Sequence, residues 1–400
     1  MSQNTRTLLI NSLNLPHFET IDELAKLIGL SSRLLYCLSI KTNNYYKEKS
    51  ILKKNGSLRK ISIPSYSLHI VQRWILVNVL NKITPSNRAM AFRKGYRFGH
   101  KQNAFYHSHT LYGLSLDLKD FFPSITANKV YTIFSSIGYN NFASTILTNL
   151  CVLDGKLPQG SACSPIISNI ICLTLDKRLI GLCEKSGIRF TRYADDMYFS
   201  CDDKVLLLKS FPIITKIIKD EGFIVNINKT HFHTPSNKKQ ITGVIVSNTD
   251  IADIIELKAP RKIKQTIRAE IHRCIFSGNY ENKQHILGEI AYVNFIEKEN
   301  KSKYLDRINK YINSLTKQIE VFPELVEAYN SNKFFKDTKP INATELDIID
   351  DEDYYFYKNI LQNRKIFLKK NNLNDKCRYS NWPSALIESK DNVSEYIASS

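Results

Sequence analysis

Apolar residues recur along this chain at two spacings, one typical of strands and the other typical of helices. Leu114, Leu116 and Leu118 alternate with polar or charged neighbours, which predicts a strand with one buried face. Residues 188–193 and 197–201 are both rich in aromatic and β-prone side chains, and they predict the two strands of a hairpin. These strands are the first indication of a sheet in the middle of the chain.

Other segments repeat every three or four residues and predict helices. The clearest covers about residues 67–83, with an apolar face formed by Leu68, Val71, Ile75 and Val79. Further helices are predicted over residues 20–40, about 126–150, 164–185, 204–221 and 258–317. Further strands are predicted over residues 46–53, 58–63, 223–227 and 241–246, the first two joined by a type I′ turn at Asn55-Gly56. The pattern predicts an α+β fold without internal repeats.

The predicted central hairpin carries two adjacent carboxylates at its turn, Asp195 and Asp196. Like charges this close are costly unless a cation neutralises them, so the pair indicates a divalent metal site; a solvated Asp-Asp turn is the common alternative. Asp117 lies near the end of the leucine-rich strand. If the two elements are neighbours, three carboxylates would hold two Mg²⁺ ions about 4 Å apart, which activates a hydroxyl nucleophile and stabilises a leaving pyrophosphate. Asp120 is either a further acid behind this site or a helix-start or surface residue.

Six short motifs follow one another in a fixed order. They are Asn55–Pro64, Asp117 with Phe121-Phe122, Leu157–Ser161, Tyr193–Asp196, Gly222–Thr230 and Ile241–Val246. In this order they resemble the motif set of reverse transcriptases, and the resemblance covers roughly residues 20–315. It implies an RNA-directed DNA polymerase, a nucleotidyltransferase shaped as a right hand with fingers, an antiparallel palm sheet and a thumb. One departure is Ala162-Cys163, where relatives often have Pro-Thr; the turn at Pro165 is retained.

Two shorter patterns are similar to those of the bacterial retron branch, within the group of reverse transcriptases related to group II introns. Asn103-Ala104-Phe105-Tyr106-His107 fits Asn-Ala-x-x-His, and Ile241-Thr242-Gly243 is a variant of Val-Thr-Gly. The resemblance implies RNA recognition by Asn103, His107, Thr242 and Gly243. Retron enzymes copy part of their own structured RNA from one of its 2′-hydroxyls and leave a branched RNA–DNA hybrid (msDNA). Without the resemblance, Asn103 and His107 would be ordinary hydrogen-bonded groups beside a core face.

The resemblance also assigns roles at the metal site. Asp117, Asp195 and Asp196 would be catalytic metal ligands for two Mg²⁺ ions, with Mn²⁺ as a substitute, and Leu118 would add its backbone carbonyl. Lys229 matches the family lysine that protonates the leaving pyrophosphate, a general-acid role. A structural salt bridge is the alternative for this lysine.

Four further residues are implied in binding the incoming nucleotide. Arg59 and Arg93 would grip the triphosphate from the fingers, because a guanidinium fork suits phosphate oxygens. Gln159 would contact the sugar from a tight loop; the alternative is an ordinary surface residue. Phe122 matches the aromatic residue that excludes a ribose 2′-hydroxyl; the alternative is a plain core phenylalanine.

Together the patterns predict five regions. They are an N-terminal helical region (1–45), fingers with part of the palm (46–110 and 126–187), the palm with the catalytic aspartates (111–125 and 188–257), a helical thumb (258–320) and a small C-terminal extension (321–400). The extension contains an acidic run at residues 347–353 followed by four aromatic residues, which fits either a small appended domain or a partly disordered arm.

Charge changes the picture by indicating the partner. The chain has a formal net charge of +18 and a pI near 9.4, which implies a polyanion, either nucleic acid or an anionic membrane. No apolar run reaches the roughly 18–20 residues of a membrane span, and the N-terminus lacks the apolar core of a signal peptide. We therefore expect nucleic acid in the bacterial cytoplasm. Residues 318–400 hold 11 basic and 14 acidic side chains, which leaves 45 basic and 24 acidic in residues 1–317.

The eight cysteines form no Cys-x-x-Cys pair, so neither a disulfide framework nor a zinc site is expected. The resemblance implies as partners the cognate non-coding RNA, its DNA product, dNTPs and an effector protein from a neighbouring gene that acts with the enzyme in phage defence. The alternatives are a nucleic-acid-binding scaffold that holds an effector, with synthesis secondary or lost, and another bacterial reverse transcriptase of the abortive-infection or intron type. The intact aspartates argue against lost chemistry, and the Asn-Ala-x-x-His pattern argues against the intron type.

Overall fold

The computed structural model describes residues 3–52, 56, 58–95, 97–108, 110–236, 239–248, 255–297, 303–316 and 322–323. The predicted C-terminal extension therefore lies outside the described residues, except for Phe322 and Pro323. Helices and antiparallel strands alternate through the described part, so the predicted α+β class is confirmed. In that part of the chain no helix is both long and apolar enough to cross a bilayer.

The first third of the chain forms helices around a two-stranded hairpin. Its elements are α1 Gln3–Ser12, α2 Ile21–Ile28, α3 Ser32–Ile40, β1 Tyr46–Leu52, β2 Leu58–Pro64 and α4 Tyr66–Asn78. A capping box of Thr20 and Glu23 starts α2. The turn predicted at Asn55-Gly56 falls on residues of which only Gly56 is described; on either side of it, β1 and β2 pair in antiparallel register from Leu52 and Leu58 onward.

The middle of the chain builds a four-stranded antiparallel sheet, called here the palm sheet, with strand order β4-β5-β3-β6. Its strands are β3 Tyr112–Asp117, β4 Arg189–Tyr193, β5 Asp196–Cys201 and β6 His231–His233. The helices around it are α5 His100–Tyr106, α6 Ala127–Ser136, α7 Asn141–Cys151, α8 Ser164–Ile171, α9 Leu173–Lys185 and α10 Lys204–Asp220. One buried apolar core runs from α1 through α10, so the N-terminal helices pack into the same core as the palm sheet.

Alternation along the strands gives the palm sheet two different faces. One face packs on helices α8 to α10 and is called here the helix-packed face; its apolar members are Leu114, Leu116, Phe190, Met197 and Phe199, all nearly fully buried. The other, the carboxylate face, carries Gly113, Ser115, Asp117, Thr191, Asp196, Tyr198 and Ser200. Helix α5 and the segment after β6 lie against parts of this second face.

The segment 223–227 is not the predicted strand. Only Val225 forms a bridge, to Leu118, and a 3₁₀ turn follows at Ile227–Lys229. The place beside β3 is taken by β6 instead, because Ser115, Leu114 and Gly113 pair with residues 231–233. Segment 223–227 therefore pairs only with the end of β3 and the residues just after it.

The predicted palm strand at 241–246 is also wrong, because the chain reverses within it. Thr242 and Gly243 have φ of +45° and +84° and join β7 Lys239–Ile241 to β8 Val244–Asn248 as a two-residue hairpin turn. With β9 Ile255–Lys258 these strands form a separate three-stranded sheet.

Three helices with their own apolar core follow: α11 Arg261–Ser277, α12 Lys283–Ile296 and α13 Lys303–Thr316. Their buried contacts come from residues at helical spacing, among them Ile267, Ile271, Ile286, Ile290, Val293, Leu305 and Ile308. Helices α11 and α13 also border a cleft of about 620 Å³. Five basic side chains line it: Arg261, Lys264, Arg268, Arg307 and Lys310. The helical and basic character expected for residues 258–317 is thus present where the chain is described.

Candidate active site

The palm sheet brings Asp117 and the Asp195-Asp196 pair together at one end. Asp117 is the last residue of β3 and lies directly opposite Asp196, the first residue of β5, in the antiparallel register. Asp195 lies in the two-residue turn between β4 and β5, beside Ala194. The backbone N–H of Leu118 donates to the carbonyl of Asp195 at 3.0 Å, which fixes the turn against the end of β3. Pairing of residues far apart in sequence thus assembles the three carboxylates that the motifs predicted.

Electrostatics at this end of the sheet favour a bound cation. Loss of solvent around the carboxyl, followed by repulsion from Asp195 and Asp117, raises the pKa of Asp196 to about 6, although more than a third of the residue remains exposed. Burial and the Asp117 charge also raise the pKa of Asp195 above its ordinary value. Carboxylates whose ionised form is disfavoured in this way are stabilised by positive charge placed between them.

Asp117 already has cationic and amide partners. Lys229 Nζ donates to Asp117 Oδ1 at 2.7 Å, and Asn226 Nδ2 donates to Asp117 Oδ2 at 3.3 Å. The hydrogen bond to Asp117 raises the pKa of Lys229. Among the described residues, no set of one carboxylate oxygen from each of the three aspartates lies within 4.8 Å of one another, and Asp117 is paired with the Lys229 ammonium instead. The donor set itself, hard carboxylate oxygens with unfavourable mutual repulsion, fits divalent cations such as Mg²⁺.

The loop that carries Gln159 is bound to the first hairpin. The backbone N–H of Ser62 donates to the carbonyl of Gln159 at 2.8 Å. Gly160 has φ of +130°, and a Cβ there would lie 2.3 Å from the carbonyl oxygen of Ser62, so only glycine permits this approach. The loop therefore links the β1–β2 hairpin to helix α8, which follows it, and the Gln159 side chain is partly exposed.

The two phenylalanines after Asp117 have different surroundings. Phe121 is buried in the core against Phe223. Phe122 is only half-buried and lies 6.3 Å, ring to ring, from Phe92, an exposed residue with φ of +58°. Phe122 is therefore partly accessible although it also packs against the core, and its expected contact with the sugar stays a prediction. Phe92 had no motif to mark it.

The two arginines expected to hold a triphosphate differ in their contacts. Arg59 is exposed on β2, and its positive charge offsets a small part of the rise that burial causes in the pKa of Asp195. Arg93 donates from Nη1 to the carbonyl of Ser86 at 2.7 Å and lies 3.6 Å from the ring centre of Phe98. Partial burial lowers the pKa of Arg93. Phosphate contact by Arg93 would require these local contacts to be exchanged. Asp120 is exposed in the turn after β3 with φ of +48°, which fits the surface alternative.

The four residues expected to recognise RNA are placed in and beside a buried hydrogen-bond network. Asn103 and His107 are 1% and 0% exposed, so direct contact of these two side chains with RNA is not possible in this conformation. The Thr191 hydroxyl donates to Asn103 Oδ1, so His107 Nε2–H must donate to Thr191 Oγ1, at 2.8 Å. His107 Nδ1 then accepts from Ser200 Oγ at 2.7 Å.

This network extends to the turn of the second sheet. Asn103 Nδ2 lies 3.4 Å from Thr242 Oγ1, and Thr242 in turn donates to the carbonyl of His100 at 3.2 Å. Gly243, beside it, is exposed. Burial, followed by the charges of Lys239 and two arginines, holds the pKa of His107 well below its ordinary value, so the imidazole is neutral. Asn103 and His107 therefore join α5, the β4–β5 hairpin and the β7–β8 turn, and their part in RNA recognition stays a prediction.

One charged residue with a defined role in this arrangement was missed. Arg192 follows Phe190 at strand spacing and lies, 0% exposed, on the helix-packed face, where it pairs with the equally buried Asp176. A signal was available: a lone arginine at an inward position of an apolar strand requires a buried partner. The sequence did not indicate which acid would supply it.

Comparison with known proteins gives consistent matches. A family model described as reverse transcriptase (RNA-dependent DNA polymerase) matches residues 51–246. The retron Ec86 reverse transcriptase of Escherichia coli is 32% identical over 314 residues, which cover 78% of this chain and 94% of that protein. The retron Mx65 reverse transcriptase of Myxococcus xanthus is 30% identical and covers 71% and 70% of the two chains. The retron Ec73 reverse transcriptase of Escherichia coli is 30% identical and covers 68% and 91%.

Proposed function

Since the chain belongs to the retron reverse transcriptases, we propose that it copies its own structured non-coding RNA into DNA and leaves the product attached to that RNA as a branched hybrid. The chain is an RNA-directed DNA polymerase with the right-hand fold, and it uses an RNA template, dNTPs and divalent metal. The observation that carries the proposal is the register that places Asp117 opposite Asp196 beside Asp195. Family membership shows the polymerase activity. We propose three further points: that the metal is Mg²⁺, that the template is the protein's own structured RNA, and that the product is branched.

We assign a separate role to each group of residues at the metal site. Asp117, Asp195, Asp196 and the carbonyl of Leu118 would hold two Mg²⁺ ions. Bound there, the metal supplies activation of the attacking hydroxyl and charge neutralisation on the phosphates. Lys229, released from Asp117, would hold a proton within reach of the leaving pyrophosphate.

The nucleotide is proposed to bind between the fingers and the palm. Arg59 and Arg93 would meet its phosphates, Gln159 would contact its sugar, and Phe122, whose ring is only half-buried, would exclude a 2′-hydroxyl. The basic cleft between α11 and α13 would hold the duplex backbone. Asn103, His107, Thr242 and Gly243 would act on RNA recognition indirectly, by setting the position of the β7–β8 turn.

The experiment is to express the protein with its natural upstream sequence, purify it and examine the nucleic acid that copurifies. We expect DNA that stays linked to RNA after digestion with a single-strand ribonuclease and that a debranching enzyme releases. Protein carrying Asp195→Asn and Asp196→Asn is the control and should retain RNA without DNA. RNA without attached DNA on the unaltered protein, together with normal extension of an annealed primer, would reject the self-copying part and leave the polymerase activity standing.

The role proposed for Phe122 has its own test. Phe122→Val should admit ribonucleotides, because it opens space beside C2′ of the sugar, while deoxynucleotide incorporation partly survives. The matched control is Phe134→Leu, which alters a fully buried ring elsewhere in the same core, because the Phe121 ring packs directly on Phe122. The measurement is the ratio of incorporation efficiencies for dNTP and rNTP. An unchanged ratio in a Phe122→Val protein still active on dNTPs would contradict the assignment.

A second candidate function, holding an effector protein in phage defence, is favoured by the charge distribution. Residues 318–400 carry a net charge of −3, whereas residues 1–317 carry +21 and already supply attraction for phosphate. The acidic run and four aromatics of the extension would suit docking onto a protein partner, with the aromatics as anchors. A bacterial cytoplasmic location stays a prediction.

Truncation after Pro323, which keeps Phe322 in the apolar core of α11 to α13, tests this docking role. The shortened protein should extend primers normally but no longer retain the product of the neighbouring gene in a pull-down from the native host. Aggregation or loss of primer extension would instead show that the extension belongs to the polymerase fold. Retention of the neighbouring protein by the shortened chain would contradict docking through the extension.

A further inference from the structure

The single arginine buried on the helix-packed face contacts three separate elements. Arg192 Nε and Nη2 donate to the two carboxylate oxygens of Asp176 on α9, at 2.8 and 2.7 Å. Its Nη1 donates to Asn169 Oδ1 on α8 at 3.0 Å and to the carbonyl of Ala194 at 3.3 Å. Because Ala194 immediately precedes Asp195, the guanidinium connects two helices to the turn that carries the metal ligands.

The backbone around Arg192 is fixed as tightly as its side chain. Its N–H donates to the carbonyl of Arg88 at 2.8 Å, and its carbonyl accepts from the N–H of Met90 at 2.7 Å. Asn169 Nδ2 completes the connection by donating to the carbonyl of Ala91 at 2.9 Å. Segment 88–91 thus binds the outer edge of strand β4, and α8 and α9 contact the strand on the helix-packed face.

The turn itself needs external support. Ala194 has φ of +58°, a left-handed conformation that is unfavourable for a residue with a Cβ. Such a conformation persists where the surroundings over-determine it, and the contacts that do so here are the Arg192 hydrogen bond to the Ala194 carbonyl and the Leu118 N–H bond to the Asp195 carbonyl.

Stability alone is a poor explanation for this arrangement. Removing an arginine and an aspartate completely from water is costly, and apolar side chains of similar size often replace a buried ion pair without loss of stability. What an apolar pair cannot supply is a donor aimed at a particular carbonyl oxygen. The arrangement therefore indicates that Arg192 holds the backbone of the β4–β5 turn in a defined position.

Building on the proposed metal-binding role of the aspartates, we propose that Arg192, oriented by Asp176 and Asn169, is a positioning residue for the catalytic turn. By fixing the Ala194 carbonyl it sets the direction of the Asp195 and Asp196 carboxylates, and so the affinity for divalent metal and the rate of nucleotide addition. It does not contact nucleic acid or nucleotide. Residues that orient metal ligands typically change metal affinity or activity by about 10–100-fold when replaced.

The decisive variant is the double change Arg192→Met with Asp176→Leu, which removes both charges and keeps apolar volume. We expect melting temperature and primer–template affinity close to those of the unaltered protein. The single-turnover rate should fall about 10–100-fold, and Mn²⁺ affinity, measured without nucleotide by electron paramagnetic resonance, should fall about 10-fold or more. Arg178→Met is the matched control. Arg178 lies on α9, as Asp176 does, and pairs with Asp220 and Glu221. Its replacement should change neither the single-turnover rate nor the Mn²⁺ affinity.

Arg192→Lys keeps a buried positive charge beside Asp176 but lacks the fork that also reaches Asn169 and Ala194. We expect an intermediate loss of Mn²⁺ affinity in a folded protein, which keeps the test valid if the double variant does not fold. Normal rate and normal Mn²⁺ affinity in either folded variant would overturn the proposal. Failure of the proposed function gives a different result, because Asp195→Asn with Asp196→Asn would then retain primer extension.

Discussion

The two faces of the palm sheet are built from the same strands, yet one face stabilises the fold and the other destabilises it. Leu114 and Phe199 on the helix-packed face are fully buried among apolar side chains, whereas Asp117 and Asp196 on the carboxylate face repel one another. Burying one apolar side chain stabilises a fold by about 1.5–3 kcal/mol. Crowding carboxylates does the reverse. The comparison teaches that the helix-packed face stabilises the sheet enough for the other face to hold an unfavourable charge arrangement.

The carboxylate face also contains a buried polar atom, the Tyr198 hydroxyl, whose surroundings differ from those of the helix-packed face. In the described part of the chain the Tyr198 hydroxyl is buried without a hydrogen-bond partner. Gly113 lies beside it, and a Cβ at that position would be only 2.1 Å from the hydroxyl oxygen. Glycine is thus required on β3 for Tyr198 to fit. On the helix-packed face, by contrast, the buried polar side chain of Arg192 has a hydrogen-bond partner at each of its three nitrogens.

Removing charge from the carboxylate face should give the largest effect. Asp195→Asn together with Asp196→Asn should lower DNA synthesis by more than about 10³-fold, because the metal loses its anchoring charges, while the fold survives. The measurement is primer extension alongside circular dichroism. Full extension by the soluble double variant would remove the functional difference between the two faces.

Removing bulk from the helix-packed face should act on stability instead. Leu114→Ala should lower the free energy of unfolding by about 2–5 kcal/mol, because Leu114 is fully buried and leaves a cavity. Ser115→Ala, one residue further on and on the opposite face, is the control and should cost much less. Chemical denaturation measures both. Equal losses would show that the two faces contribute alike to stability.

His107, which is buried against the carboxylate face, should contribute to the stability of the fold and should not titrate near neutral pH. His107→Leu should destabilise the protein by about 1–3 kcal/mol, since Thr191 and Ser200 lose their partner. Because the pKa of His107 lies well below its ordinary value, the neutral form persists and the pH profile of activity from about 6 to 8 should be unchanged in the variant. A profile that shifts would show that His107 titrates in this range.

Asn103 and His107 changed together should impair use of the structured RNA more than use of a generic primed template. The expected cause is displacement of the β7–β8 turn, to which Asn103 is linked through Thr242. The measurement is the ratio of extension rates on the two templates. Equal losses would mean that the network supports the fold or general catalysis only.

The smallest expected effect is on the pH dependence of stability without metal. The pKa of Asp196 is about 6 in the folded protein and 3.8 ordinarily, so ionisation is disfavoured by folding. The acid form therefore stabilises the fold at low pH, and this contribution is lost as pH rises from about 4 through 6. In the presence of chelator, the melting temperature of the unaltered protein should fall more between pH 5 and pH 7 than that of Asp196→Asn. Addition of Mg²⁺ should raise the melting temperature of the unaltered protein more than that of the variant. Parallel pH profiles for both proteins would contradict the assignment.

Local signals in the sequence were enough for several elements. The alternation at Leu114–Leu118, the capping box at Thr20 and the helical face of Leu68 and Val71 each act over a few residues, and each element is present. The predictions at 223–227 and 241–246 failed for a common reason. A short apolar run does not say whether it finds a neighbouring strand, and Thr242-Gly243 turns the chain inside the second run.

The sequence by itself determined which residue types were available and in what order: three aspartates, a phenylalanine after the first, a glutamine in a tight loop. Only the tertiary structure decided which of them meet. The register that sets Asp117 opposite Asp196, the pairing of Arg192 with Asp176 and the burial of His107 between Thr191 and Ser200 all join residues that no local pattern relates. The physical reason is that a buried polar group must find its partner in space. That partner is fixed by the packing of whole helices and strands, which local spacing does not specify.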